Sequence, residues 1–211
     1  MTGEKLHIVT TSRVAAVVGE MRRTPAPTIR NLRRHAAVVE SIAARVPAIL
    51  PARFATMVVD RDELAFILAS RGTTLRRRLR ALRSRCQMTV RLVSDSESGD
   101  GPLRSRSRTA SRTRLRLANG ATQGTQYLRQ RMAMAAAARA VPRFAPIRTA
   151  VQRFVKDERV EKRGDVVTIN HLIPRAAVTR YLAAVERAAS DNHVRLIVSG
   201  PWAPYAFADN W

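Results

Sequence analysis

Apolar residues take alternate positions near the C-terminal end of the chain. Val194, Leu196 and Val198 have the period of two that is typical of a half-buried strand. Gly200-Pro201 follows directly, and glycine permits unusual backbone angles while proline removes a backbone hydrogen-bond donor. The pattern therefore predicts a strand that stops at this pair.

A period near 3.6 predicts helices elsewhere. Val39, Ile42, Ala43 and Val46 follow the i, i+3, i+4, i+7 spacing, which indicates an amphipathic helix over 35–46. Apolar stripes or strong helix formers also predict helices over 126–139, over 147–155 and after Pro174. Together with short strands over 6–10, 14–18 and 165–173, these helices predict an α+β fold.

Asp60 and Glu63 have the three-residue spacing of a helix capping box. The helix that they begin is expected to end at Gly72, and a second helix is expected to start at Thr73 or Thr74. Arginines cover the outer face of this second helix. Beyond it, Met88 and Val90 alternate with polar residues, which predicts a strand over 87–93.

Residues 94–119 break these patterns. The segment is rich in Ser, Gly and Arg, and its only large apolar residues are Leu103, Leu115 and Leu117. So few apolar groups cannot form a core, which predicts a disordered basic linker. The chain is then expected to have an N-terminal α+β domain over 1–93 and a C-terminal α+β domain over 120–211.

The charge of the chain is unusual for its length of 211 residues. The formal net charge is +22, and only three of the 38 basic residues are lysines. Arginine binds phosphate and carboxylate groups bidentately, so weak, non-specific nucleic-acid binding or an acidic protein partner is indicated. The alternative is that these arginines form ordinary solvated faces.

The remaining composition restricts the compartment and the chemistry. Cys86 is the only cysteine, which excludes an internal disulfide and fits a reducing compartment. No apolar run approaches a membrane span, and the N-terminal residues do not resemble a signal peptide, so a cytoplasmic protein is expected. The four histidines are scattered, and no phosphate-binding Gly-rich loop occurs. We therefore expect no catalytic residue, no cofactor and no metal site.

Aromatic residues concentrate at the end of the chain. Trp202, Tyr205, Phe207 and Trp211 fall within ten residues, although the whole chain has only ten aromatics. In one interpretation the rigid turn folds these side chains over a core. In the other they form a partner-binding patch, because Trp and Tyr are favoured anchors of interfaces. Both interpretations can hold together.

Several segments, in order, resemble the gas vesicle synthesis proteins of the F/L type. The run Gly200-Pro-Trp-Ala-Pro-Tyr-Ala-Phe207 is similar to the closing Gly-Pro-Trp-Pro-Pro-Tyr-Ser-Phe of that family. Ile49-Leu-Pro-Ala-Arg-Phe-Ala-Thr56 resembles its Leu-Pro-x-Arg-Phe-Gly-Thr segment. Gly124-Thr-Gln-Tyr-Leu-Arg-Gln-Arg131 resembles a Gly-x-x-Tyr-Leu-x-x-Arg helix start, and Val14-Ala-Ala-Val-Val18 an early strand.

The chain also departs from the family pattern. Ala55 stands where the family has glycine, and Ala203 where it has proline. Asn170-His-Leu-Ile173 replaces Ala-Tyr-Leu-Val. No Tyr-x-Tyr-Gly-like run precedes the Ala-Ala-Val-Val segment, so the N-terminal domain is expected to lack the family's first strand.

The resemblance implies a fold, a function and partners. It implies two small α+β domains, of which the C-terminal one is a modified ferredoxin-like unit. It implies a non-enzymatic accessory of gas vesicle assembly that binds the small hydrophobic shell protein and other accessory proteins. Its expected location is the gas vesicle and the cytoplasm, without membrane insertion. The alternative is a basic nucleic-acid-associated protein without sequence specificity.

Five residues are candidates for partner binding: Trp202, Tyr205, Phe207, Arg53 and Tyr127. Arg53 lies in an apolar stretch, where an unpaired buried guanidinium would be very unfavourable. We expect it to bond carbonyls or a carboxylate and to fix the 50–56 turn, while Phe54 packs inward. The alternative is that the Arg53 side chain reaches water from the edge of the sheet.

Overall fold

The structure is a computed structural model that describes residues 5–11, 14–92, 141–163 and 166–208. The strands are β1 (Leu6–Thr10), β2 (Ala15–Gly19), β3 (Arg85–Leu92), β4 (Asp157–Arg163), β5 (Val166–Pro174) and β6 (Leu196–Trp202). The helices are α1 (Ile29–Ala43), α2 (Arg61–Leu82), α3 (Ala145–Val151) and α4 (Val178–Asp191), with 3₁₀ turns at Pro142–Phe144, Arg175–Ala177 and Tyr205–Phe207.

Four of the strands form one antiparallel sheet. Their spatial order is β4-β5-β3-β6, with β3 hydrogen-bonded to both β5 and β6. Along the chain the described elements run β3, α3, β4, β5, α4, β6, which is the β-α-β-β-α-β order of a ferredoxin-like unit. The α+β fold class that the sequence predicts is confirmed.

Strand β3 changes the predicted division of the chain. The boundary at residue 93 assigns β3 to the N-terminal domain, yet the strand lies in the interior of the ferredoxin-like sheet. This unit therefore draws strands from both sides of the predicted linker. The reason is that strand pairing is non-local, so the sequence order of the elements does not reveal it. The linker over 94–119 lies outside the described residues and stays a prediction, as does a domain starting at 120.

One face of this sheet carries the main core. Met88 and Val90 of β3 and Ile169 and Ile173 of β5 are fully buried. They pack against the apolar sides of α3 and α4, with Ile147, Val151, Tyr181 and Val185 among the buried residues. Alternate residues of a strand point to opposite faces, so the intervening residues of β3 and β5 lie on the other side of the sheet.

A smaller core lies in the N-terminal part. The β1–β2 hairpin packs on α2, where Val14, Leu64, Leu68 and Leu75 are buried together. The 6–10 strand that the sequence predicts is present as β1, which pairs with the Ala-Ala-Val-Val segment in β2. The lack of the family's first strand stays a prediction.

Helix α2 confirms one prediction and corrects another. The Asp60 carboxylate accepts a hydrogen bond from the Glu63 backbone N–H at 2.8 Å, as in a capping box, while Glu63 Oε2 accepts its bond from the N–H of Val59, the residue before the N-cap. The predicted break at Gly72 is wrong, because α2 is continuous through this buried glycine. Leu75 and Leu82 continue the buried stripe, and packing outweighs the poor helix propensity of one glycine.

A hydrogen-bonded chain of polar groups lies within the main core. His171 is fully buried, and its Nε2 donates to the Glu158 carboxylate at 2.9 Å while the Tyr181 hydroxyl donates to its Nδ1 at 2.7 Å. Arg148 completes the chain with two hydrogen bonds to Glu158. Burial and the nearby Glu158 charge raise the pKa of Tyr181, so its hydroxyl remains a donor.

The environment of Glu158 stabilises its charged form. Burial alone would raise the pKa of this carboxyl, but the hydrogen bonds from His171 and Arg148 outweigh it, and the net pKa lies below the ordinary value of 4.5. Because the pKa of Glu158 is lower in the folded than in the unfolded state, its ionised form stabilises the fold at pH values above the unfolded-state pKa. The contribution disappears as the pH falls through the folded pKa.

We expect Glu158→Gln to lower the free energy of unfolding by about 2 kcal/mol near neutral pH, because it removes a charged acceptor from a buried network. The difference in the free energy of unfolding between this variant and wild type should become smaller as the pH falls below 4.5. Urea denaturation between about pH 7 and about pH 3 measures it. Glu161→Gln, at an exposed position on the same strand, is the matched control and should have little effect. A difference that does not depend on pH would contradict the assignment.

Candidate functional site

The second face of the ferredoxin-like sheet is polar where β3 meets β5. Gln87, Thr89 and Asn170 are buried there. Gln87 Nε2 donates to Thr89 Oγ1 at 3.2 Å and to Asn170 Oδ1 at 3.0 Å, and the Thr89 hydroxyl donates to the same Asn170 oxygen at 2.8 Å. Buried polar groups need such partners, so the three side chains form one connected surface.

Residues 202–208, which we call the closing segment, begin at the last residue of β6 and fold back over this polar surface. The Ala206 N–H donates to Gln87 Oε1 at 2.8 Å, and the Ala203 N–H donates to Glu40 Oε1 of α1 at 2.8 Å. Ala203 is also buried against Val39 and Ala43 of α1. Two backbone hydrogen bonds and a small apolar contact thus fix residues 203–206 between α1 and the sheet.

The strand before this segment does not stop where the sequence predicts. β6 runs through Gly200-Pro201, whose peptide bond is cis, and pairs at Trp202 with Gln87. A register shift opposite Gln87 and Thr89 absorbs the glycine and proline. The predicted stop at Gly200-Pro201 is therefore wrong, because a bulge allows a sheet to continue past residues that do not fit its regular pattern.

A cleft of about 400 Å³ opens between this segment, the polar face of the sheet and the 51–56 turn. The turn contributes Pro51, Arg53 and Thr56 to its lining, and the closing segment contributes Tyr205, Ala206 and Ala208. The sheet contributes Gln87, Thr89, Arg91, Glu161, Thr168 and Asn170. Its volume is within the range of protein binding sites.

The aromatic residues of the closing segment have different positions. Trp202 and Tyr205 are 45% and 36% exposed. Phe207 is buried with Leu82 and Leu172, and the Arg159 guanidinium lies 5.8 Å from the centre of its ring. The first sequence interpretation holds for Phe207, which covers a core. Trp202 and Tyr205 remain at the surface, and the partner-binding patch stays a prediction for them. Partial burial and the nearby Glu40 charge raise the pKa of Tyr205 to about 12, so this hydroxyl is protonated at neutral pH.

Arg53 is placed differently from the expectation. Its side chain is exposed, and it has no hydrogen bond or ion pair with any residue in the described ranges. The expected bond to carbonyls or a carboxylate is therefore wrong, because the guanidinium reaches water from the rim of the cleft. The Arg53 carbonyl closes the turn instead, accepting from the Thr56 N–H at 3.2 Å and the Thr56 hydroxyl at 2.8 Å.

Phe54 and Ala55 are the neighbours of Arg53 in the turn, and Tyr127 is the remaining candidate for partner binding. Phe54 is half-buried, with its ring edge-on to His35 at 5.7 Å between centroids. Tyr127 lies outside the described residues. Ala55 has a positive φ of 63°, a left-handed conformation that favours glycine, and this explains why glycine suits this position of the Leu-Pro-x-Arg-Phe-Gly-Thr segment.

The described residues contain neither a metal-binding cluster nor a membrane-spanning helix. Within the described ranges, His, Cys, Asp and Glu side chains do not gather in groups of three or more that could hold a metal ion. In the same part of the chain, no helix is both long enough and apolar enough to span a bilayer.

The comparisons with known proteins agree with the fold. The family model described as "Gas vesicle synthesis protein GvpL/GvpF" matches residues 1–209. The chain belongs to this family. A protein named gas vesicle protein F from Streptomyces sp. (strain CB03234) is 28% identical over 221 residues, covering 98% of this chain and 89% of that protein.

Two crystal structures of relatives have the same fold. The gas vesicle protein GvpF from Anabaena sp. PCC7120 superposes with a TM-score of 0.72 at 15% identity, covering 100% of this chain and 88% of that one. GvpF from Microcystis aeruginosa gives a TM-score of 0.70 at 13% identity, covering 100% and 91%. At these identities the likeness concerns the fold.

The cleft unites two segments on which the resemblance to the GvpL/GvpF family rests. Arg53 and Tyr205 are about 150 residues apart in the chain, yet both line it. Gln87, Arg91 and Asn170, which line it too, were not among the predicted site residues. The alternation of β3 did place Arg91 opposite Met88 and Val90, but only the non-local pairing of β3 with β5 brings Asn170 to the same surface.

Gly200 positions the closing segment, so its replacement tests the cleft. Its φ is +120°, and a Cβ at this position would lie 2.8 Å from the Gln87 carbonyl oxygen. We expect Gly200→Ala to lower the free energy of unfolding by about 2 kcal/mol or more. Gly19→Ala, at an exposed strand end, should be nearly neutral. Thermal melts of both variants decide, and equal effects would contradict the close approach.

Ala55→Gly should raise the free energy of unfolding, in contrast to Gly200→Ala. The substitution relieves a left-handed conformation that costs about 1–2 kcal/mol for an L-residue, and part of this gain is offset by the greater freedom of glycine in the unfolded chain. We therefore expect a net stabilisation of about 0.5–1 kcal/mol in urea denaturation. Ala52→Gly, three residues away without a positive φ, is the control and should destabilise. A destabilised Ala55→Gly variant would contradict the strain.

Proposed function

We propose that this protein is a non-enzymatic accessory of gas vesicle assembly that binds the small hydrophobic shell protein and other accessory proteins. The observation that carries the proposal is the cleft, where the 51–56 turn meets the closing segment. Tyr205 lines this cleft, and Trp202 of the same segment is exposed. Membership of a gas vesicle synthesis family supports the assembly role.

The exposed aromatic pair suits the chemistry of such a partner. A small hydrophobic shell subunit is prone to aggregate before it is incorporated, and an accessory that covers part of its apolar surface prevents this. Trp and Tyr supply large apolar area with few rotatable bonds, and they are frequent interface hot spots. We place this action in the cytoplasm and on the growing gas vesicle.

A second candidate function is binding of nucleic acid through charge. Arg76, Arg77, Arg80 and Arg83 are exposed along the C-terminal half of α2, and the formal net charge of the chain is +22. Such a face binds a phosphate backbone without reading its sequence, and the binding weakens steeply with salt. The cleft takes no part in this alternative.

Replacement of Trp202 tests the assembly proposal. Wild-type protein co-expressed with the shell protein should retain it in affinity purification at moderate salt. Trp202→Ala should weaken this binding about thirtyfold or more, because a truncated hot-spot tryptophan typically costs at least about 2 kcal/mol of binding energy. Phe66→Ala is the matched control, since Phe66 is 73% exposed on α2 and does not line the cleft.

The same purification distinguishes the two candidates. Nucleic acid that stays bound to wild type while no vesicle protein is retained would overturn the assembly proposal. Thermal melts of both variants should match wild type, because both side chains are exposed, and this excludes unfolding as the cause of lost binding.

A further inference from the structure

Two arginines that line the cleft lack an ion-pair partner among the residues that the structure describes. Arg53 from the 51–56 turn and Arg91 from β3 both line it, and both are exposed. Neither forms a hydrogen bond or ion pair with another residue in the part of the chain that the structure describes. The one carboxylate in the lining, Glu161, has its Oε2 3.8 Å from an Arg163 nitrogen.

We propose that the cleft binds a carboxylate-bearing segment of a protein partner through the guanidinium groups of Arg53 and Arg91. This inference rests on the proposed function and names the chemistry that the partner presents to the cleft. Two like charges in one lining repel each other, and a bound carboxylate removes this repulsion. Arginine forms bidentate, charge-assisted hydrogen bonds with carboxylates, which are among the strongest surface contacts.

The remaining lining favours a peptide over a phosphate compound. Gln87 and Thr89 are held by their mutual hydrogen bonds and by Ala206, but the Asn170 amide nitrogen donates to no other described residue, so it can donate to a peptide carbonyl. Glu161 in the lining disfavours a doubly charged phosphate more than a singly charged carboxylate. Tyr205 forms an aromatic wall, and exposed Trp202 lies three residues before it in the chain, so neighbouring residues of a bound peptide find apolar contacts.

The charge of the chain also argues against a second copy as the occupant. Each copy has a formal net charge of +22, so two copies repel each other at the distances over which they would approach. A partner with acidic residues is attracted over the same distances, which raises its association rate.

The first test uses the protein alone. The probes are acetyl-Gly-Glu-Gly-amide and its neutral counterpart acetyl-Gly-Gln-Gly-amide, titrated at constant ionic strength. NMR follows the arginine Nε–H signals, assigned with Arg53→Gln and Arg91→Gln. We expect the Glu peptide to shift the signals of both arginines and the Gln peptide to leave them unchanged. Equal shifts with both peptides, or none, would overturn the proposal, and so would stronger shifts with inorganic phosphate than with the Glu peptide.

The second test uses the vesicle protein that wild type retains. Arg53→Gln and Arg91→Gln should each raise its Kd about tenfold, since each removes one charge-assisted contact. Arg76→Gln removes an equally exposed arginine outside the cleft and should leave the Kd unchanged. Three equal, small effects would show that only overall charge matters and would sink the cleft assignment.

The two proposals fail in different ways. If wild type retains no vesicle protein, the proposed function is wrong whatever the peptides do. If wild type retains a vesicle protein and both cleft variants bind it like Arg76→Gln, the proposed function stands and the carboxylate site is wrong. Thermal melts of all three variants should match wild type, because every replaced side chain is exposed.

Discussion

The side-chain amide of Gln87 connects the ferredoxin-like sheet to the segment that follows it. Its nitrogen donates to Thr89 and Asn170, and its oxygen accepts from the Ala206 backbone. A buried amide that lacks any of these partners would be destabilising by about 1–3 kcal/mol. The polar face of the sheet and the position of the closing segment therefore depend on each other, and the cleft exists only where both are in place.

The same constraint explains why neighbouring aromatics have different roles. The hydrogen bonds of Ala203 to Glu40 and of Ala206 to Gln87 fix the backbone at two points that are three residues apart. The 3₁₀ turn at Tyr205–Phe207 then directs Phe207 into the core with Leu82 and Leu172 and leaves Tyr205 at the cleft. The core contact of Phe207 and the two hydrogen bonds hold the backbone that carries Tyr205, and a backbone held before binding lowers the entropy lost when a partner binds.

The sequence predicted those features that local spacing encodes. The cap at Asp60, the alternation of β3 and the amphipathic α4 each follow from neighbours within one or two turns, and resemblance supplied the ferredoxin-like unit. Features that depend on distant contacts were missed. The continuity of α2 through Gly72 depends on the burial of the leucines on either side of it in the N-terminal core. The contact of Gln87 with Asn170 joins positions 83 residues apart. The hydrogen bonds that link Glu158, His171 and Tyr181 were missed for the same reason, because in the sequence His171 is only one of four scattered histidines.

The high charge of the chain and the cleft act at different ranges. Exposed arginines on α2 contribute to a field that attracts any acidic partner, but salt screens this field over roughly 8–10 Å and it selects no particular one. Selection requires contacts that only one geometry satisfies. Arg53 and Arg91 stand beside hydrogen-bonding side chains and an aromatic wall in a cleft of about 400 Å³, where a carboxylate at the wrong position leaves polar groups unpaired. The general charge therefore accelerates encounter, while the cleft determines which segment remains bound.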